Sequence, residues 1–196
     1  MHKFNSRFAE SLGLSYGGCV RDLVRFTSGE VANAVNAPLP FFRFFNPEAT
    51  RNFNAQWAAM LEAIGMLAAM TESEEYRQNE KLVKKTLFHM HQTVEMTLTE
   101  KLLSQLTPEA KQRYEETRKL LVKEALVPET KKADLSDAFL KVIHGEKYDK
   151  VSERTKVQAL KQVSLAYDVF RRVYYVEIAH FENESVNIPE EEQEAK

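Results

Sequence analysis

A single cysteine, Cys19, is the whole sulfhydryl inventory of the chain, so it can build neither an internal disulfide framework nor a Cys-rich zinc site. Glycine and proline are scarce, six of each in 196 residues, which disfavours a turn-rich all-β fold. A charge excess of one sign is missing too: 27 Lys and Arg face 29 Asp and Glu. Glu190, Glu191, Glu192 and Glu194 against Lys196 leave the rest of the chain close to neutral. With no cation surplus to neutralise phosphates, nucleic acid is not an expected partner. Long hydrophobic runs are absent as well. The most apolar stretch, Phe53 to Met70, is interrupted by Gln56, Glu62 and small side chains, whereas a membrane span needs ~20 mostly apolar residues. The first residues carry no apolar signal-peptide core. A cytoplasmic location is therefore expected, unless a signal-peptide-independent system exports the chain.

What is present is a globular composition, 43% hydrophobic and 29% charged, in a chain long enough to bury one core. Apolar residues recur every three or four positions. Phe4, Phe8 and Leu12 predict a short helix ended by Gly13. Val20, Leu23, Val24, Val31 and Val35 predict a second, from about Gly18 to Asn36, with Thr27-Ser28-Gly29 as a candidate break. Prolines 38, 40 and 47 predict an extended segment over residues 37–47. Asn46 and Pro47 then suit the cap and first position of a helix carrying Phe53, Trp57, Met60, Leu61, Ile64 and Leu67. Alanines and Gly65 around that stripe predict a central place in the bundle.

Thr71 and Glu74 have capping-box spacing, and Val83, Leu87, Met90, Val94, Leu98 and Leu102 predict a helix running from about 72 to 106. Thr107-Pro108-Glu109 starts the next, with Tyr114, Leu120, Leu121 and Ala125 on its apolar side, ended by Pro128. A shorter helix is expected from Leu135 to His144, closed by Gly145. A long one from Val151 to Glu182 carries Val157, Leu160, Val163, Tyr167, Phe170, Tyr174, Ile178 and Phe181. The expectation is an all-α, single-domain bundle of about six helices over residues 1–186, its long helices antiparallel, with a disordered acidic tail over 187–196.

Several strings bear on chemistry. Gly17-Gly18-Cys19-Val20-Arg21-Asp22-Leu23 resembles the Gly-Gly-x-Val-Arg-Asp motif of the tRNA CCA-adding and poly(A) polymerase nucleotidyltransferases. The resemblance implies a backbone that approaches a nucleoside triphosphate, followed by paired metal-binding carboxylates on a strand. Here no Asp lies between Asp22 and Asp134, and no strand signal precedes Gly17. The residues alone predict a helix with Arg21 and Asp22 in solvent.

His91 and Glu95 share a helix face at i, i+4, while His89 points ~200° away from His91. Glu177 and His180 have the Glu-x-x-His spacing that resembles one half of a carboxylate-bridged di-iron bundle, but no second copy exists. No Gly-x-Ser-x-Gly elbow and no Walker A loop is present. The terminal glutamates resemble, in composition, the export signals of bacterial type IV secreted effectors. No catalytic residue, metal ligand set or cofactor is predicted.

Phe41, Phe42, Phe44 and Phe45 flank Arg43 in five residues, and on an extended strand they cannot all face one side. This segment is the predicted interaction site, since exposed apolar patches mark contacts. The expected function is a non-enzymatic helical interaction module, an adaptor, regulator or effector that binds another protein or itself. The alternatives are a bundle holding a ligand or metal between helices, through His89 or His91 with Glu95 or Glu177, and a peripheral membrane or storage-granule protein.

Overall fold

The central element is a helix with no solvent face. In the computed structural model, which describes residues 4–37, 46–98 and 102–186, α2 (Pro47–Glu72) is buried at every position from Ala55 to Met70. Asn46 caps it by accepting from the Ala49 amide at 2.9 Å, and Pro47 occupies its first turn, as the sequence predicts. A helix apolar on nearly all sides must be surrounded. Around α2 pack α1 (Ser6–Ala34), α4 (Glu80–Leu98), α5 (Pro108–Ala125), α6 (Lys132–His144) and α7 (Glu153–Val186), and the five-residue α3 (Glu74–Gln78) links α2 to α4. No strand occurs among the described residues, so the all-α bundle holds.

The first two expected helices are one. Gly13 does not end a helix, and Thr27 does not break one: α1 is continuous through both. The glycines serve a close approach instead. A Cβ on Gly13 would lie 2.6 Å from the Thr86 carbonyl oxygen, and one on Gly17 would lie 2.4 Å from Thr93 Cβ, so α4 rests directly on the α1 backbone. Thr27 donates its hydroxyl to the Leu23 carbonyl at 2.7 Å and accepts the Trp57 indole N–H at 3.1 Å, which ties α1 to α2. Contacts of Thr27 with Trp57 and of Tyr16 with Gly65 make α1 antiparallel to α2. Ser11 with Glu177 and Glu30 with Gln162 make it antiparallel to α7. Relative to α4 it runs parallel, because Ala9 meets Thr86 and Gly17 meets Thr93.

The helix expected over 72–106 is divided. Ser73, not Thr71, caps α3 by accepting from the Tyr76 amide at 3.2 Å, while Thr71 bonds back to Leu67. Asn79 then leaves the helical region (φ −94°, ψ 85°) and accepts from the Leu82 amide at 3.3 Å. Short polar side chains bonded to nearby amides compete with helix continuation, and here they win twice. Buried Tyr76 donates to Thr86 at 2.5 Å, and Thr86 donates to the Ala9 carbonyl at 3.0 Å, clamping α3 and α4 to α1.

Later boundaries follow expectation, with α5 capped by Thr107 and α6 ended at Gly145 (φ 53°). The expected stripes are corrected at two positions: Leu120 and Val157 face solvent. Tyr167, Phe170 and Tyr174 are buried, so the aromatic face of α7 is core. The tail over 187–196 lies outside the described residues.

Candidate functional site

The carboxylate that interrupts the apolar stretch of α2 is the most buried charged group described. Glu62 is 0% exposed, in the interior at the middle of α2. Its Oε1 accepts the Tyr114 hydroxyl of α5 at 3.0 Å, and its Oε2 lies 3.2 Å from His91 Nδ1 of α4. The Arg118 guanidinium of α5 lies 4.0 Å from Oε2 and 3.2 Å from Glu115. Burial, reinforced by the adjoining carboxylate, holds the Tyr114 phenol far above its usual range, so the hydroxyl stays a donor. His91 also turns Nε2 toward Glu95 at 3.5 Å. Ligand atoms of His91, Glu95 and Glu115 all lie within 4.8 Å of one another. Three helices therefore converge on a polar nest of His91, Glu62, Glu95, Tyr114, Glu115 and Arg118, buried at Glu62 and open to solvent at Glu95. Glu62 was visible in the sequence only as an interruption. A lone acid in a helix buried all round must find partners, and that inference was open to the sequence.

Other singled-out residues fall elsewhere. His89 lies beside Gly13 on the α1–α4 contact, apart from His91. Glu177 accepts from Ser11 and Ser15, each at 2.6 Å, so it fastens α1 to α7 instead of joining His91. Arg21 and Asp22 pair with each other at 2.8 Å on the surface, and Gly17 packs on α4, so the nucleotidyltransferase-like string is a stretch of continuous helix and not a glycine loop. Cys19 is half-buried, and burial together with Asp22 pushes its thiol up to about 11, opposite to nucleophile activation. Phe41, Phe42, Arg43, Phe44 and Phe45 lie outside the described residues.

A second feature lies on the outer side of α1 and α7. Leu165, Val169 and Val176 are 52%, 36% and 54% exposed. Their i, i+4, i+11 spacing makes one stripe, roughly 130° around α7 from its buried stripe. Leu165 and Val169 line a groove of about 300 Å³ with Leu23 and Thr27 of α1, floored by Trp57 and rimmed by Glu30, Asp168 and Arg172. Phe26, one turn from Leu23 on α1, is 74% exposed. No helix among the described residues is long and apolar enough to cross a membrane. Comparison with known proteins finds no match, whether among family models, curated sequences or solved structures.

Proposed function

We propose that this chain is a helical interaction module that receives an amphipathic helix of another protein in the groove between α1 and α7. The observation carrying this reading is the second apolar stripe of α7. A helix whose inward face is already satisfied by Val163, Tyr167, Phe170 and Tyr174 gains nothing in stability from an outward Leu165, Val169 and Val176. Scattered surface apolar residues need no explanation, but these three align, and Leu165 and Val169 share a groove with Leu23 over an aromatic floor. Two helices separated by an apolar furrow present the surface into which a partner helix sets anchors at i, i+3 or i+4, and i+7. Acidic and basic rim groups, Glu30 and Asp168 against Arg172, provide orientation more than affinity.

Leu165→Glu and Val169→Glu, each checked for folding by circular dichroism, test the reading by affinity capture from the native lysate. Loss of a protein that both wild type and Lys111→Glu retain is the expected result. Identical capture by all four chains contradicts it. A wild-type dimer that Leu165→Glu disperses reassigns the groove to a second copy of this chain.

A further inference from the structure

The geometry points to a divalent transition-metal site between α4 and α5, with His91 Nε2, Glu95 and Glu115 as ligands and Glu62 as the buried carboxylate that orients the imidazole. Buried Glu62 holds one edge of the His91 ring, with Oε2 3.2 Å from Nδ1, and Nε2 on the other edge faces the Glu95 carboxylate at 3.5 Å. Glu115 of α5 completes the group, its carboxylate also lying 3.2 Å from the Arg118 guanidinium.

The dimensions agree. Metal–ligand bonds of about 2.0–2.2 Å separate neighbouring ligand atoms by roughly 3.0–3.5 Å. His91 and Glu95 already have that separation, and the full trio lies within 4.8 Å, which side-chain rotation closes. His91 and Glu95 are adjacent turns of one helix, and Glu115 arrives from the next. The arrangement beyond the ligands is equally ordered. A ligating histidine usually donates its other ring N–H to a carboxylate, and Glu62 fills that role, itself fixed by the Tyr114 hydroxyl at 3.0 Å. Glu95 is half-exposed, so an ion enters from solvent and keeps open positions for water. One imidazole with two carboxylates suits Zn²⁺ or Mn²⁺ better than Ca²⁺ or Mg²⁺, which prefer oxygen alone.

The test is calorimetric titration of the chelator-stripped full chain with Zn²⁺, Mn²⁺ and Mg²⁺, with ¹⁵N NMR of the His91 ring. One-to-one binding of Zn²⁺ or Mn²⁺, a Zn²⁺-induced shift at His91 Nε2, and at least a hundredfold loss in His91→Gln and Glu115→Gln are expected. Glu62→Gln weakens binding about tenfold, and His180→Gln leaves it unchanged. Circular dichroism separates lost binding from lost folding. Two results overturn the site: Zn²⁺ bound equally by His91→Gln, or neither Zn²⁺ nor Mn²⁺ bound by the folded wild-type chain.

Discussion

Replacing Gly17 and Gly18 by alanine, one at a time, should move stability in opposite directions. Both sit inside α1, so each substitution gains helix propensity of about 0.5–1 kcal/mol. At Gly18 nothing lies within 4 Å of the new Cβ, so the gain stands alone. At Gly17 the Cβ arrives 2.4 Å from Thr93 Cβ and 2.9 Å from the Met90 carbonyl oxygen. Neither atom is the far end of a flexible side chain, so α4 must move. Overpacking of this kind costs ~1–3 kcal/mol, leaving a net loss of roughly 0.5–2 kcal/mol. At about 2–4 °C per kcal/mol for a chain this size, Gly18→Ala raises Tm by ~1–4 °C and Gly17→Ala lowers it by ~1–8 °C. Thermal unfolding followed by circular dichroism at 222 nm, with urea midpoints as a check, measures both. If Gly17→Ala proves as stable as Gly18→Ala, the two helices do not approach as closely as described, and the reasoning fails.

Three further outcomes follow from buried polar groups. Glu62→Leu strands the Tyr114 hydroxyl and His91 Nδ1 and removes one of the two carboxylates beside Arg118, and should cost ~3–5 kcal/mol by denaturant unfolding, with Glu62→Gln losing less because an acceptor for Tyr114 remains; a stable leucine variant would show the nest to be energetically idle. Tyr16 is fully buried and its hydroxyl has no hydrogen-bond partner among the described residues, so Tyr16→Phe should raise stability by roughly 1 kcal/mol, and a lower Tm would reveal a partner for that hydroxyl. Burial holds Tyr114 well above its usual range and pushes Tyr174 up to about 12. Folded-state values raised above the unfolded ~10 mean that this stability is complete below pH ~10 and declines above it. Urea midpoints should therefore fall across pH 10–12, and a flat profile would contradict the burial of these phenols.

The helical plan was legible because buried positions repeat with the helix period. Phe4, Phe8 and Leu12, or Val163, Tyr167, Phe170 and Tyr174, mark their faces without any knowledge of neighbours. What misled was local punctuation with a tertiary meaning. Gly13 looks like a helix breaker until the contact with α4 is known, and the turn at Asn79 depends on side-chain bonding that periodicity does not register. The polar nest was half legible. His91 and Glu95 declare a shared face at i, i+4, but Glu115 and Tyr114 join them only because α5 packs beside α2. The outward stripe of Leu165, Val169 and Val176 was within reach of the sequence too. It was obscured by the stronger aromatic stripe on the same helix.

Site-specific photocrosslinking tests the proposed use of the α1–α7 groove most directly. A photoreactive phenylalanine analogue is placed at Leu165 in the groove, or at exposed Lys111 on α5 as the control, and the cells are irradiated. The groove reading predicts a discrete adduct of higher mass from position 165, lost when Val169→Glu is added, and none from position 111. Adducts of equal yield from both positions, or none from position 165 in folded protein, would contradict it.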